Sequence, residues 1–306
     1  MRGVSDSTRA LVNLARQILV EDHPQTLRQI HYRVFSMGAA GYKNNKASYR
    51  GLCRILTNAR RLYRQWELSR NEVIPPTLGI PSNWIIDELR QGERVNLWGD
   101  AQEYVESVRD SYRRDNWQDQ PHYVELWGEK ATVLGALRPI ASEWGLTLRV
   151  CRGFGSAGME DQVGRLFEGI DKPITVFYVG DHDASGVLIE RDMCRRVQVA
   201  AGVDFTMVRL AIHAGDIIGF NLPPQEVKER DVRASAFRRE FGNNANTVEL
   251  EALPVVELKR RIVEAVTDLI DFDRWNRQVE VQQIELNCIA EFADRMKNLP
   301  QLGGPA

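Results

Sequence analysis

The chain has 306 residues, of which 43% are hydrophobic and 27% charged, and a formal net charge of −2. This length allows one large or two ordinary domains, and the composition is typical of a globular protein. No run of 18 or more apolar residues and no secretory signal pattern is found, which argues against a membrane protein and favours a cytoplasmic location. The four cysteines lie far apart, which argues against a zinc ribbon or a disulfide framework.

The sequence pattern of residues 1–75 predicts a helical domain. Apolar spacing and capping residues predict three helices, at about 7–20, 26–37 and 47–64. Thr26 is expected to cap the second helix, and a short extended stretch is expected near Trp66 and Val73. Two helices, a turn, an amphipathic helix and an extended stretch together favour a helix-turn-helix or winged-helix-like DNA-binding domain.

The rest of the chain predicts a linker and a second domain. Residues 76–121 are expected to form a polar, helical linker, after which strands and helices alternate. Strands are predicted at 123–127, 146–151, 174–179 and 205–211, with helices between them at about 131–144, 159–169 and 186–199. An irregular polar segment is expected at 220–247, and C-terminal helices at about 254–271 and 275–297. The predicted fold class is therefore α/β, with a mostly parallel, Rossmann-like sheet in a domain at 122–306.

One face of the predicted third helix is strongly basic. On a helical wheel its apolar side carries Leu52, Ile55, Leu56, Ala59, Leu62 and Tyr63. The opposite side carries Arg50, Arg54, Thr57, Arg61 and Arg64. A row of guanidinium groups can contact DNA phosphates without reading the base sequence, so this face predicts a nucleic-acid-binding surface. The alternative interpretation is an ordinary solvated helix face.

Tyr32 on the predicted second helix is a candidate nucleophile. The apolar stripe of that helix consists of Leu27, Ile30, His31 and Val34, and His31 is expected to be a structural residue. Tyr32 is expected to point away from this stripe, with Arg28 one turn earlier on the same side. The guanidinium could favour the phenolate and also hold a phosphate, as a tyrosine attacking a phosphodiester requires. A surface or interface tyrosine is the alternative.

Acidic residues follow two of the predicted strands. Asp181 and Asp183 come just after the strand at 174–179, and Glu129 follows the first strand of the sheet. Carboxyl ends of parallel strands meet at one sheet edge, so the three carboxylates predict a site for Mg²⁺ or Mn²⁺, which could neutralise a scissile phosphate. His182 between the aspartates is expected to be structural, and Lys130 to be a phosphate contact or a helix-surface charge.

The motifs around these acids resemble those of a known domain. The segments 129–131, 152–155 and 180–186 are similar to a TOPRIM domain, the metal-binding fold of topoisomerases and related nucleases. The segment 26–33 looks like the winged-helix motif of the topoisomerase VI A subunit and of the meiotic double-strand-break protein family. The resemblance covers about 24–65 and 122–212. In this chain His31 stands where the family usually has the first of two adjacent tyrosines, and Ala131 where an acid often follows.

The resemblance implies a mechanism and partners. Tyr32, preceded by Arg28, would attack a DNA phosphate and leave a phosphotyrosyl 5′ end. Glu129, Asp181 and Asp183 would hold Mg²⁺, with Glu129 counted also among the catalytic residues. Family members act as homodimers, in which the tyrosine of one subunit works with the metal site of the other. ATP-driven strand passage would need a separate ATPase partner, and a bacterial protein of this kind would associate with the nucleoid.

Other functions remain open at this point. TOPRIM and winged-helix proteins of plasmid-defence systems look like plain nucleases that cut with metal-activated water, and a DNA-binding module without catalysis is a third reading. The glycines at 153–158 match the G-x-G-x-x-G pattern of a dinucleotide-binding Rossmann enzyme. Later basic residues could extend the phosphate surface or lie in a solvated loop; they are Lys228, Arg230, Arg233, Arg238 and Arg239.

Overall fold

The computed structural model describes residues 5–69, 77–86, 97–151, 157–226, 233–243 and 245–297. Its helices are α1 (Asp6–Glu21), α2 (Leu27–Ser36), α3 (Lys46–Ser69), α4 (Ala101–Ser111), α5 (Ala131–Glu143), α6 (Ala157–Glu168), α7 (Ala184–Ala201), α8 (Ala214–Gly219), α9 (Ala234–Phe241), α10 (Val255–Thr267) and α11 (Phe272–Lys297). Its strands are β1 (Gln25–Thr26), β2 (Ile85–Ile86), β3 (Tyr123–Gly128), β4 (Thr147–Val150), β5 (Ile174–Val179), β6 (Thr206–Ala211), β7 (Gln225–Glu226) and β8 (Asn246–Thr247). Short 3₁₀ turns lie at Ser82–Trp84 and Leu250–Ala252.

The N-terminal region is helical, and its three predicted helices are confirmed. Before α1, the Ser5 hydroxyl accepts a hydrogen bond from the amide of Thr8 at 3.3 Å. Thr26 caps α2 as predicted and forms a reciprocal capping box with Gln29, which satisfies two backbone donors of the first turn. The three helices pack on one apolar cluster, whose fully buried members include Ile18, Leu19, Ile30, Leu52 and Leu56.

The extended stretch predicted after the third helix is wrong at Trp66. Helix α3 continues past this position, where the Trp66 ring packs with its centroid 5.2 Å from that of Tyr63 in the preceding turn. Such a pair, three residues apart, favours continuation of the helix. Val73 lies outside the described residues. A short parallel pair forms instead between β1, just before α2, and β2.

In the segment predicted to be a helical linker, α4 is the α-helix found among the described residues. It packs along the C-terminal helix α11. The Tyr112 hydroxyl donates to the carboxylate of Glu285 at 2.5 Å, and Arg114 forms an ion pair with the same carboxylate at 2.6 Å. These contacts attach the segment to the end of the chain.

Four parallel strands form the central sheet, which confirms the α/β prediction. Their order is β4-β3-β5-β6, and every neighbouring pair is parallel. The inner strand β5 is buried along its whole length because helices cover both faces of the sheet. On one face the core includes Leu126, Leu137, Phe177 and Ile262. On the other face it includes Trp127, Phe167, Val176, Met193 and Val197.

The segment 220–247 is more ordered than predicted. It contains helix α9 and the antiparallel pair of β7 with β8. Phe237 and Phe241 of α9 pack against the ring of His182, with centroids 5.2 and 4.8 Å away. The sequence pattern missed this helix because its apolar residues are few and pack against His182 and the start of α7 rather than against the sheet. No helix in the described ranges combines the length and apolarity needed to cross a lipid bilayer.

Candidate active site at the carboxyl edge of the sheet

In the loop after β5, the backbone lies very close to other atoms of the protein at two glycines, Gly180 and Gly186. Gly180 continues the pairing of β5 with the end of β6. Its amide donates to Ala211 O and its carbonyl accepts from Ile212 N, both at 2.9 Å. A Cβ on Gly180 would lie 2.6 Å from the Tyr178 hydroxyl, and one on Gly186 would lie 2.3 Å from the carbonyl oxygen of Asp181. Glycine at both positions therefore allows the loop to fold tightly over the sheet edge.

Arg209 of β6 holds this loop from below. Its guanidinium donates to the backbone carbonyls of Gly180, Asp181, Gly186, Ala211 and Ile212. Its Nε donates to the carboxylate of Glu190 at 2.6 Å. A single, partly buried cation thus fixes the backbone on both sides of the acidic residues. Sequence reasoning missed Arg209, because an arginine in a strand carries no signal of which loops it will reach.

The structure brings Glu129, Asp181 and Asp183 to the same sheet edge, and each has a protein partner there. Glu129 Oε2 accepts from the amide of Asp181 at 3.1 Å. Asp183 Oδ1 caps α7 by accepting from the amides of the second and third residues of that helix at 2.9 and 2.7 Å. Those amides, of Ser185 and Gly186, therefore face a carboxylate of the chain itself. Among the described residues, no three His, Cys, Asp or Glu side chains converge in a geometry that could hold a metal ion.

Lys130 supplies the positive charge of this site. Its Nζ lies 2.7 Å from Asp181 Oδ2, 3.2 Å from Glu251 Oε2 and 3.7 Å from Glu249 Oε2. Burial opposes the charge of Lys130, but the neighbouring carboxylates of Asp181 and Glu251 outweigh burial and raise the pKa of the ammonium. The lysine is therefore the counter-charge of an acidic cluster, and neither the phosphate contact nor the helix-surface charge considered from the sequence describes it.

Negative charge remains in excess around Asp181. Burial, with the nearby carboxylate of Glu129, raises the pKa of Asp181 to about 7, although Lys130 opposes the shift. Burial, with the neighbouring Asp183, also raises the pKa of Glu129. Within the described part of the chain, Glu129 Oε1 and Asp183 Oδ2 accept no hydrogen bond. Carboxylate oxygens that lie beside other carboxylates have the donor chemistry that a hard divalent cation requires.

Tyr32 lies near this cluster but is buried, so the prediction that it points outward is wrong. Only 3% of its surface is exposed, and it belongs to the same buried cluster as Val248 and Leu250. The reason is that α2 packs against the Leu250–Ala252 turn, which covers the side of the helix opposite its apolar stripe.

The electrostatics at Tyr32 also differ from the prediction. Burial and the carboxylate of Glu249 raise the pKa of Tyr32 to about 12, and Arg28 opposes this only in part. The reason is that Arg28 is itself paired with Glu249, at 2.8 Å between Nε and Oε2. The expected stabilisation of a phenolate by Arg28 is therefore outweighed by burial and by Glu249, and the phenol is neutral at pH 7.

A cleft of about 830 Å³ opens above Tyr32. One wall comes from α2 and α3, and the other from residues 223–225 and Glu249. Its helical wall carries the cationic residues Arg28, Lys46 and Arg50. The cleft therefore combines cationic, aromatic and apolar groups and reaches the buried tyrosine.

The arginines and the apolar residues of α3 lie on opposite sides of the helix, as predicted. Its arginines are exposed to solvent: Arg50, Arg54, Arg61 and Arg64. Leu52, Leu56 and Ala59 are buried on the opposite side. Leu62 differs from the wheel, since 40% of its surface is exposed near the end of the helix.

Both histidines expected to be structural are buried and packed. His31 Nδ1 lies 2.6 Å from the Tyr42 hydroxyl, and its Nε2 lies 3.2 Å from Asn44 Oδ1. His182 forms an antiparallel backbone bridge with Val248. Among the later basic residues, Arg233 donates to the Ser185 hydroxyl at 2.8 Å. Residues 152–156, with most of the glycine motif, and both Lys228 and Arg230 lie outside the described residues.

Besides Arg209, sequence reasoning missed Glu249 and Glu251. They form the same pattern of two acids separated by one residue that made Asp181 and Asp183 conspicuous, but they follow a short strand that the sequence did not predict. Comparisons of the chain with models of protein families and with curated proteins find no match. The fold and the site together define an α/β protein with a buried charged cluster at the carboxyl edge of a parallel sheet.

Proposed function

We propose that this protein cleaves DNA strands in a reaction assisted by a divalent cation, with Tyr32 as nucleophile, as a topoisomerase VI A-like enzyme. The helical N-terminal region would correspond to the winged helix and the parallel sheet to the TOPRIM domain. One observation carries the proposal. An unbroken series of charged contacts leads from Tyr32 through Arg28, Glu249 and Lys130 to Asp181, so the tyrosine and the acidic sheet edge share one site.

The chain supplies a route for the proton of the nucleophile. A phenol with a pKa near 12 needs a base at neutral pH, and the carboxylate of Glu249 is the acid group that acts on it most strongly. The Tyr32 oxygen forms a bond to phosphorus, the bond from phosphorus to the 3′ oxygen breaks, and solvent protonates that oxygen. Protonation of Glu249 would release Arg28 from its ion pair, so that the guanidinium can hold the phosphate.

Glu129 and Asp183 would hold Mg²⁺ or Mn²⁺ through their second oxygens, and Asp181 would join them once its carboxylate leaves Lys130 and the amide of Leu250. When bound, such an ion supplies positive charge that stabilises the reacting phosphate and the leaving oxygen. Burial is the main cause of the raised pKa values of Glu129 and Asp181, and repulsion between neighbouring carboxylates adds to it. A cation bound at this edge would relieve that repulsion, which supports the assignment.

The surroundings of the site favour DNA as the substrate. The exposed arginines of α3 begin at the mouth of the cleft with Arg50 and provide contacts for phosphates. Family resemblance adds the expectation of a homodimer and of a separate ATPase partner for any strand passage. Both of these belong to the proposal.

Plasmid cleavage tests the proposed function. Supercoiled plasmid incubated with the wild-type protein and Mg²⁺ or Mn²⁺ should be cut, and chelation of the metal should stop cutting. Tyr32→Phe should lower the rate at least about 10³-fold, because the nucleophile is lost while the fold is kept. Asp181→Asn should be similarly impaired. Tyr104→Phe, at an exposed tyrosine of α4, is the matched control and should retain full activity. Unchanged cutting by Tyr32→Phe would remove the tyrosine from the mechanism.

Hydrolysis by metal-activated water is the second candidate. The observation that favours it is the burial of Tyr32 together with its raised pKa, since both make the phenol a poor nucleophile. In this case Asp181→Asn alone abolishes cutting, Tyr32→Phe remains active, and the cut ends carry no protein.

A further inference from the structure

We infer that the cleft above Tyr32 receives one unpaired nucleotide, so that the preferred DNA ligand is single-stranded or locally melted rather than an intact duplex. This inference rests on the proposed function, because it names the substrate class of the same site. It follows from the size of the cleft, from the groups on its walls and from the distribution of charge at its mouth.

The size and depth of the cleft favour an unpaired nucleotide. The cleft has a volume of about 830 Å³, within the range of about 300–1,000 Å³ of pockets that enclose small molecules. Tyr32 is only 3% exposed at this cleft, so a reacting phosphate must enter it. In an intact duplex the nucleotides on either side of that phosphate are stacked and paired, and entry would require their separation at a cost of a few kcal/mol. An unpaired strand enters without this cost.

The residues that line the cleft are suited to hold a base. Tyr49 lies on the helical wall, where the His31 ring contacts it edge-on at a centroid distance of 5.4 Å and Arg28 lies over it at 5.8 Å. These contacts fix its ring. Pro223 and Pro224 form the apolar part of the opposite wall. A fixed aromatic ring in a cleft that also contains apolar side chains is suited to hold a base by stacking, which tolerates any base.

Polar groups complete a nucleotide site. Asn44 and Gln225 both line the cleft. The Gln225 amide can donate to or accept from the edge of a base, and the Asn44 amide nitrogen can donate to it while its oxygen stays with His31. Lys46 and Arg50 are exposed at the same cleft and can pair with phosphates on either side of the inserted nucleotide.

The basic charge at the mouth of the cleft lies on one side of it, which favours one DNA strand over two. From Arg50 the exposed arginine row continues along α3 to Arg64, about 21 Å at the rise of an α-helix. The facing wall presents prolines, Gln225 and the acid Glu249. One basic track beside a neutral to acidic wall matches the single backbone of one strand.

Equilibrium binding tests the inference. A short fluorescent oligothymidine and a hairpin duplex of equal length are titrated with the full chain by fluorescence anisotropy, at fixed salt and with EDTA to prevent cleavage. The single strand should bind more tightly. Tyr49→Ala should weaken single-strand binding about tenfold and duplex binding less than twofold, because it removes one stacking platform. Tyr49→Phe keeps the ring and should bind like the wild type, as should Tyr104→Ala on the distant α4.

A second measurement uses the wild-type protein alone. Photo-crosslinking of an oligonucleotide that carries 5-bromodeoxyuridine should label peptides of the cleft, at Tyr49 or at 223–225. Equal affinity for duplex and single strand, no effect of Tyr49→Ala, or crosslinks only outside the cleft would overturn the inference.

The outcomes separate the inference from the proposed function. If plasmid is cut through Tyr32 but single strands show no preference for binding, the inference fails and the function stands. If single strands bind through Tyr49 but no DNA is cut with any metal, the cleavage proposal fails and the nucleotide pocket remains.

Discussion

The outer face of α3 and the cluster around Lys130 are both rich in charge, but they are built in opposite ways. The outer face of α3 carries exposed, mostly positive charges from one continuous segment, and of its arginines Arg50, Arg54 and Arg61 lie outside the ion pair that Arg64 forms with Glu67. The cluster combines charges of both signs, mostly buried, from loops separated by as many as 121 residues, as for Lys130 and Glu251. The first arrangement leaves its cations available for a ligand, whereas the second uses its cation to hold the protein together. The number of charges in a region therefore matters less than whether they are already paired.

The largest effect should follow from removing the cation of the cluster. Lys130→Met leaves Asp181 and Glu251 buried without their partner and should lower the free energy of unfolding by about 3 kcal/mol, measured by urea denaturation at pH 7. Lys259→Met is the matched control, because Lys259 has similar exposure and pairs with the single carboxylate of Asp22. Equal losses in the two variants would show that the cluster is no more than a set of separate pairs.

A smaller effect, with a defined pH dependence, should follow at Asp216. Although burial opposes its charge, two hydrogen bonds from Arg261 and one from the amide of His213 lower its pKa. A depressed carboxyl pKa contributes stability above its unfolded value near 4, and this contribution is lost as the pH falls through the folded value. Asp216→Asn should therefore cost about 2 kcal/mol at pH 7.

The difference between Asp216→Asn and wild type should shrink as the pH is lowered below about 4. Urea denaturation at several pH values measures it, and Asp204→Asn, at an exposed aspartate, is the control and should show no such trend. A difference that stays constant down to low pH would mean that packing rather than charge explains the loss.

The smallest effect on stability, and the clearest effect on binding, should follow on α3. Arg54→Ala with Arg61→Ala should change the free energy of unfolding by less than about 0.5 kcal/mol. It should weaken DNA binding and lower the slope of log K against log salt by about 2, one unit for each lost phosphate contact. Arg165→Ala with Arg195→Ala, at exposed arginines of α6 and α7, is the control. An unchanged salt slope would make the α3 face an ordinary solvated surface.

The sequence predicted the fold correctly where the residues of a single segment are enough to define its secondary structure. The strand at 174–179 was predicted with the boundaries of β5, because an apolar run bounded by turn residues is sufficient to define a buried strand. The placement of Glu129, Asp181 and Asp183 at one edge followed from the parallel sheet alone. Helix α9 and the strands β7 and β8 were missed because their stability depends on partners elsewhere in the chain.

The state of the site was not predictable, because it depends on distant partners. The pairing of Arg28 with Glu249 spans 221 residues, and no local spacing indicates it. This pairing, with the turn that follows Glu249, is what buries Tyr32 and leaves its phenol neutral. A helical wheel places a side chain relative to its own helix, but it cannot show what covers the opposite side.

The most direct test of the account is a search for a covalent bond between DNA and Tyr32. DNA carrying a label beside the cut 5′ end is incubated with protein and Mn²⁺, the protein is denatured, and labelled peptides are identified by mass spectrometry. The account predicts a DNA adduct on the peptide that contains Tyr32, and its absence in Tyr32→Phe. Efficient cutting that leaves free 5′ phosphates and no labelled protein would contradict it.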